Sequence, residues 1–461
     1  LTGFPEVMGG RVKTLHPKVH GGLLAVRGDE AHQEAAETHG IAPIDLLVVN
    51  LYPFEATVAR GSDYAACIEN IDVGGPAMVR AAAKNHGDVT VVIDPEDYGT
   101  VRVEMATHRG ATSLALRQRL AAKAFARTAV YDAAISNWLA ETLNDPAPPF
   151  RAIGGQLIEA LRYGENPHQA AHLYVEPGCS GGVAQARALQ GKELSYNNYL
   201  DLDAAYRAVY PLAAPACAIV KHTNPCGLAC ADSAAAAFRR ALAADPVAAF
   251  GGVLAFNRPL DEAAALALRD SKLFIECVIA PEIPAAAQQV LRERANLRLV
   301  EAPAGSPLPG WVSHRIGGGL LVQTADPGPY GETADFAVVT RRGLEAGWEA
   351  ELRFALHAAA ALKSNAIAVT AEQCLLGAGT GQVSRVEAVA QALHKAGERA
   401  RGAFLGSDAF FPFADCVRLA HAAGIAAIIQ PGGSVRDAES IAACDGLGLA
   451  MVFTGRRHFR H

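Results

Sequence analysis

Short apolar runs rich in β-branched residues alternate along the chain with longer stretches whose apolar positions recur every three or four residues. The first pattern is that of buried strands and the second that of amphipathic helices. Strands are predicted at residues 46–51, 89–93, 217–220, 252–256, 277–280, 366–370, 425–430 and 449–453. The longest helical stretch covers residues 113–141 and puts Tyr131, Ile135, Trp138 and Leu139 on one face. A shorter helix is expected at 77–85, with Pro76 at its first position, where a missing N–H is harmless. Such alternation predicts an α/β fold. No helix or central strand tolerates Asn144-Asp145-Pro146-Ala147-Pro148-Pro149. A first domain is therefore expected at 1–143 and a linker at 144–160. A weaker break at Asp326-Pro327-Gly328-Pro329-Tyr330-Gly331 divides the remainder into 161–330 and 331–461. Strand–helix alternation on both sides of it fits two similar subdomains.

Composition mainly excludes. Hydrophobic residues make up 51% and charged residues 19% of 461, a globular balance with length enough for a substantial core. Forty-one basic against 47 acidic residues, 41 − 47 = −6, leave no broad cationic surface for nucleic acid. The best apolar run, residues 208–220, is too short for a membrane span and contains Pro211 and Pro215. A soluble protein is expected. Nine cysteines, an odd number scattered from Cys67 to Cys444, read as reduced thiols of a cytoplasmic enzyme. The chain opens Leu1-Thr2-Gly3-Phe4-Pro5, with no methionine or signal segment, and is expected to begin inside a domain.

The densest polar cluster is Lys221-His222-Thr223-Asn224-Pro225-Cys226-Gly227, directly after the run 217–220. It reads as a loop at a sheet's carboxyl edge, where α/β proteins place ligands. Lysine beside histidine supplies a cation and a group titrating near neutrality, as acid/base chemistry requires. A solvated strand end is the alternative. Pro225-Cys226 followed by Cys230 invites comparison with zinc deaminases, which need H-x-E and then P-C-x-x-C. Three residues separate these cysteines, and the nearest H-x-E, His32-Gln33-Glu34, lies far upstream. No zinc is expected. His16 and His20 stand four apart, but Pro17 and Lys18 break the pattern of a zincin helix.

Arg162-Tyr163-Gly164-Glu165-Asn166 sets a guanidinium and an aromatic among turn residues. Arg162 can grip phosphate and Tyr163 can stack on a base, or the segment is an ordinary turn. Ser407-Asp408-Ala409-Phe410-Phe411-Pro412-Phe413-Ala414-Asp415 is unusually aromatic for a loop and suits either a core or a planar ligand. The tail Arg456-Arg457-His458-Phe459-Arg460-His461 follows a strand and is either frayed or held in a site. Near the start, Arg11, Lys13 and Thr14 place two cations and a hydroxyl beside Gly9-Gly10. Asp72-Val73-Gly74-Gly75-Pro76 leads into a helix whose free amides attract anions, and Arg80 and Lys84 share a face of that helix. For Arg80 a solvated basic face is the better reading.

In this order the clusters resemble the bifunctional family of 5-aminoimidazole-4-carboxamide ribonucleotide (AICAR) formyltransferase/IMP cyclohydrolase. The motifs are GRVKTLHPKVHGG at 10–22, NLYPFE at 50–55, ENIDVGGPAMVRAAAKNH at 69–86, LRYGENPHQ at 161–169 and KELSYNN at 192–198. They continue with IVKHTNPCG at 219–227, AFGG at 249–252, KSNAI at 363–367, SDAFFPF at 407–413, IQPGGSVRD at 429–437 and FTGRRHFRH at 453–461. Nearly the whole chain is covered. A departure is GAGTGQ at 377–382, where the family more often reads GIGAGQ; both are glycine-permissive.

The resemblance implies two activities in series. In the C-terminal part the 5-amino group of AICAR attacks the formyl group of 10-formyltetrahydrofolate. Its lone pair is delocalised, so proton removal must accompany attack. By motif, His222 is the proton acceptor and Lys221 the cation beside the developing oxyanion or the leaving folate. Arg162 and Tyr163 are implied to hold the nucleotide, Arg457 its phosphate, Asn365, Phe410 and Asp415 to line the nucleotide and folate pocket, and Glu276 to contact folate. The implied fold is a methylglyoxal-synthase-like N-terminal domain with a Rossmann-like parallel sheet, then a transformylase of two cytidine-deaminase-like subdomains without zinc. In the N-terminal domain the formylated product closes to IMP with loss of water, an intramolecular step ruled by positioning. Lys13, Thr14, Tyr52, Asp72 and Lys84 match its base-site and catalytic positions, with Asp72 and Lys84 managing protons and Arg11 touching phosphate. Family members carry a further stretch upstream that forms much of the phosphate site. A homodimer with shared transformylase sites is implied, with small-molecule substrates, no nucleic acid, no membrane, a cytoplasmic location and potassium as the candidate monovalent cation. Two other readings are a transformylase with a vestigial first domain and a non-catalytic nucleotide-binding regulator. Replacement of Lys221 or His222 would mark the regulator, and neither is replaced.

Overall fold

The computed structural model describes residues 2–179, 181–302, 310–330 and 336–461; Gly331, at the weaker expected break, lies outside them. The chain divides into two compact units, one reaching residue 158 and including 174–179, the other formed by 159–173 and the chain beyond 179.

In the first unit, α1 (Pro17–Leu24) packs on α2 (Gly74–Lys84), and α2 and α3 (Leu114–Thr142) pack on a short parallel sheet. That sheet is β1 (Leu46–Val48) beside β2 (Thr90–Val92), with Leu46 opposite Thr90. Leu23, Val79, Ala82, Val91, Leu120 and Ala124 form the core. α3 starts where the Ser113 hydroxyl accepts from the Leu116 N–H, a normal cap. Farther along it, Tyr131 packs with Phe54 and Cys67, and Trp138 meets Phe54 edge to face at 5.5 Å. α2 begins at Gly74, earlier than the expected residue 77. The Asp72 carboxylate accepts from the Gly75 N–H at 2.7 Å, which draws the glycine pair into the first turn and leaves Pro76 at the third position.

The second unit carries one motif twice around a twelve-stranded sheet. After β3 (Arg187–Gln190) the first copy runs α4 (Tyr196–Val209), β4 (Ala216–Lys221), β5 (Asn224–Cys230), α5 (Ala234–Ala244), β6 (Gly252–Phe256), α6 (Glu262–Asp270), β7 (Ile275–Ala280), α7 (Ala285–Leu291) and β8 (Arg298–Glu301). After β9 (Ala337–Val338) the second runs α8 (Trp348–Ala360), β10 (Ile367–Ala371), β11 (Cys374–Gly379), α9 (Arg385–Ala396), β12 (Phe404–Ser407), α10 (Asp415–Ala422), β13 (Ala427–Gln430), α11 (Asp437–Leu447) and β14 (Ala450–Phe453). The strand order is β9-β14-β13-β12-β10-β11-β5-β4-β6-β7-β8-β3, so each copy is laid out as the other's reflection about the β5–β11 seam. There Cys374 pairs antiparallel with Ala229.

α4 and α8 cover one face, and the other helices cover the opposite one. Along β4, Ala216, Ala218 and Val220 face α4, while Cys217 and Ile219 face α5. Burial on both faces is why these strands read as unbroken apolar runs. β5 and β11 escape that reading because Pro225, Gly227, Gly377 and Gly379 interrupt them. Residues 221–227 are thus not the expected loop. Lys221 pairs with Asn224 across a two-residue turn, and Pro225 sits where the register shifts, a position that proline tolerates. Glycine is required at 227 and 377, where a Cβ would run into the carbonyls of Ala241 in α5 and Ala392 in α9. The C-terminal tail is held rather than frayed: the His458 N–H donates to the Asp408 carbonyl at 2.8 Å, and Ser364 exchanges bonds with Arg460. No described helix is long and apolar enough to cross a membrane.

Candidate active sites

Lys221 ends β4, and His222 and Thr223 make the turn into β5 with positive φ of 52° and 62°. A two-residue hairpin loop of the mirror-image type needs that conformation at both positions, and Asn-Gly meets it best. For β-branched Thr223 it is strained. The Asp201 carboxylate, from α4, accepts from the Thr223 N–H at 2.6 Å. The Asn224 amide donates to the His222 carbonyl at 2.8 Å, and its oxygen accepts from the Lys363 N–H at 2.9 Å and the Thr380 hydroxyl at 2.7 Å. Lys221 Nζ donates to the Phe250 carbonyl at 2.9 Å. His222 itself is exposed.

The first turn of α4 supports three further expected residues. Ser195 and Asn198 cap it reciprocally, and Asn198 Nδ2 reaches Glu276 at 2.9 Å. Asn197 donates to the Glu165 carbonyl at 3.2 Å, in the segment that carries Arg162 and Tyr163. Arg162 donates to the Tyr163 hydroxyl at 2.8 Å and lies over its ring at 4.6 Å. Burial pushes the Asp201 carboxyl above its usual range, against the pull of the Thr223 and His222 amides.

Asn365, Phe410, Asp415 and Arg457 line one cavity of about 510 Å³, together with Arg385 and Phe413. Beside it Arg385 is bonded to Asp408, and Arg385 Nη2 donates to the Asn365 side-chain oxygen at 2.7 Å. Asp408 also accepts from the Ala366 N–H at 3.1 Å and the Ser364 hydroxyl at 2.5 Å, so both neighbours of Asn365 are fixed. His458, beside Arg457, pairs with Asp326 at 2.8 Å. Against the cost of burial, that bond holds the Asp326 carboxyl below its usual range. Lys221, His222, Arg162, Tyr163 and Glu276 do not line this cavity. Asn224 is the link, because Lys363 leads directly into Ser364 and Asn365.

In the first unit Asp72 gathers three groups. Its carboxylate accepts from the Gly75 N–H at 2.7 Å and the Tyr52 N–H at 3.4 Å, and its own N–H donates to the Tyr131 hydroxyl at 2.9 Å. Thr14 lies against Gly74 at the start of α2. Arg11 is paired with Glu69, and Lys13 with Glu6 at 3.2 Å. Lys84 is the last residue of α2, the helix that Asp72 leads into. Cys226 packs toward α5 and Cys230 toward α4, on opposite faces of the sheet. Among the described residues no group of three or more His, Cys, Asp and Glu is placed to hold a metal ion.

The family model AICARFT/IMPCHase bienzyme matches residues 82–395, which is 395 − 82 + 1 = 314 of 461 residues. The chain belongs to the AICARFT/IMPCHase bienzyme family. An MGS-like domain model matches residues 1–77, so the family's N-terminal MGS-like and C-terminal AICARFT/IMPCHase parts are both present in a mixed α/β structure. Relatives include the bifunctional purine biosynthesis protein PurH of Bradyrhizobium diazoefficiens, 53% identical over all of this chain and 89% of its own length. PurH of Parvibaculum lavamentivorans is 54% identical over all of this chain and 88% of its own length.

Reading the motifs of the family singled out side chains that carry chemistry and not the groups bonded beside them: Asp201, Asn197, Arg385, Asp408 and Tyr131. For Asp408 a signal existed. It is the single charged residue between Gly402 and Phe413, and a lone charge in an apolar segment must find a buried partner.

Proposed function

We propose that the chain catalyses both reactions of its family, formyl transfer from 10-formyltetrahydrofolate to AICAR in the second unit and closure of formyl-AICAR to IMP in the first. The observation that carries the reading is the Asn224 link, which ties the Lys221–His222 turn to the strand-end segment presenting Asn365. The chain thus presents a group suited to accept a proton and, on the segment that Asn224 fixes, a cavity edged by Arg457, Phe410 and Asp415, suited to an anionic heteroaromatic ligand. The amine nitrogen of AICAR attacks the formyl carbon while His222 takes its proton. The bond from that carbon to the folate nitrogen breaks, and the folate nitrogen leaves with a proton. Lys221, steadied by the Phe250 carbonyl, neutralises the charge that develops on the formyl oxygen. Arg162 and Tyr163 hold the nucleotide, Arg457 its phosphate, and Glu276 the folate.

In the first unit the carboxamide nitrogen attacks the formyl carbon and water is lost. Asp72 and Lys84 serve the proton transfers beside Lys13, Tyr52 and Thr14, and Arg11 supplies a cation to the phosphate side. The enzyme works in the cytoplasm as a homodimer in which two chains complete each transformylase site. Exposed apolar side chains at both halves of that site favour this: Val383, Phe413 and Phe459 around the cavity, Phe250 and Phe274 near Lys221.

Supplied with AICAR and 10-formyltetrahydrofolate, the chain is expected to release tetrahydrofolate and form IMP. Lys221→Ala and His222→Ala each abolish tetrahydrofolate release without unfolding the protein. Near-parental release from either variant overturns the role assignment, and formyl-AICAR accumulating in the parent overturns the ring-closure half.

A further inference from the structure

The turn that presents His222 is held from beneath by a residue that has no part in the chemistry. Asp201 projects from α4 and accepts from the Thr223 N–H at 2.6 Å. Left-handed backbone at a histidine and a threonine in succession does not persist unaided, because neither residue relieves the clash as glycine does. The second copy of the motif repeats the arrangement. Its turn is Glu372–Gln373, with φ of 51° and 53°, and the Gln373 N–H donates to the Glu351 carboxylate of α8 at 3.0 Å. The spacing is identical, 222 − 201 = 21 and 372 − 351 = 21. A helix carboxylate beneath the turn is therefore how this motif closes its hairpin. Only in the first copy does the capped turn carry lysine and histidine; the second has Ala371 and Glu372 in their places.

We propose that Asp201 is a positioning residue for formyl transfer, its carboxylate fixing the strained His222–Thr223 turn from which the proton acceptor projects. The proposal rests on the reading of His222 given above. Transfer between two bound substrates depends steeply on placement, and a displacement of about 1 Å costs on the order of a hundredfold in rate. The nucleotide and folate contacts lie on other elements, so loss of the cap acts on turnover and leaves binding in place.

Steady-state formyl transfer is measured on the full chain for Asp201→Ala, Asp201→Asn and Glu351→Ala, with thermal melting of each. Asp201→Ala is expected to lower kcat by about a hundredfold with KM for both substrates within about threefold of the parent. Asp201→Asn keeps one acceptor oxygen, and its kcat falls by about tenfold. Should the alanine variant fail to fold, the asparagine variant decides. Glu351→Ala removes the equivalent cap and lowers the melting temperature as much as Asp201→Ala does, but keeps the parental kcat. A folded Asp201 variant with kcat within about twofold of the parent overturns the proposal, as does an equal loss of kcat in Glu351→Ala. Parental activity in His222→Ala would instead overturn the reading beneath it, which keeps the two failures distinct.

Discussion

Arg385 and Asp408 are 6% and 0% exposed, so each charge is tolerable only because the other is there. The Ser407 hydroxyl and the Ala366 carbonyl also accept from Nη1 and the Asn365 side chain from Nη2, so the guanidinium is held by four groups. Arg385→Ala strands the Asp408 carboxylate and is expected to cost about 3–5 kcal/mol, read from urea unfolding. Formyl transfer by the protein that remains folded falls as well, because Asn365 loses its tether. Tyr131 is a quieter case. Burial raises its phenol above the usual range, and its hydroxyl accepts from Asp72 while donating to the Asn70 carbonyl at 3.2 Å. Tyr131→Phe leaves that half-buried N–H and carbonyl short of a partner and costs about 1 kcal/mol. IMP formation from formyl-AICAR is expected to drop while tetrahydrofolate release is unchanged; an equal drop in both would show damage beyond the Asp72 site. Lys221, His222 and Arg457 were legible because polar side chains in motifs announce themselves. Asp201 and Tyr131 were not, since their partners are backbone groups whose placement is decided only by the folded turn.

At the level of elements, strands covered on both faces were legible as apolar runs in β4, β6, β7 and β13, but not in β12, whose four residues include Gly406 and Ser407. The hairpin partners β5 and β11 were lost to their glycines and to Pro225, although those residues carry the internal repeat. Gly227 and Gly377 are 377 − 227 = 150 residues apart, the same interval as Asp201 and Glu351, 351 − 201 = 150. Leu202, Ala205, Ala208 and Leu212 recur at that interval as Leu352, Ala355, Ala358 and Leu362. A search at long period would have found the duplication that a search for short repeats passes over. The two glycines admit the backbone of a helix against the strand, so a methyl group at either must push that helix away. Gly227→Ala and Gly377→Ala are each expected to destabilise by about 1–3 kcal/mol in urea unfolding. Gly343→Ala, where a Cβ meets nothing within 4 Å, serves as the control and leaves the midpoint in place.

For the whole molecule the question is what holds the two copies of the motif to each other and to a second chain. Within the chain, His357 of α8 is buried and its Nε2 meets the Ala208 carbonyl of α4 at 2.7 Å, with Tyr330 edge-on at 5.0 Å. Burial drives its pKa down to about 4, against the pull of that carbonyl. Below the ordinary histidine value the unfolded chain takes up a proton that the folded chain refuses, so this contribution is whole above about pH 6.5 and is lost as pH falls toward 4. By pH 5 the loss is about 2 kcal/mol, and His357→Gln is expected to remove that much of the stability difference between pH 7.5 and pH 5. Between chains, Lys221 and Asn365 give the decisive pair. Lys221→Ala and Asn365→Ala are each expected to be inactive as pure proteins. If a site takes Lys221 from one chain and Asn365 from its partner, a mixed dimer holds one site with both residues and one with neither. Co-refolding the two variants in equal amounts makes half the dimers mixed, so about a quarter of the parental activity returns. If one chain supplies both residues, every site in every dimer lacks one of them and no activity returns, which would overturn the shared-site reading while leaving the chemistry assigned to Lys221 and His222 untouched.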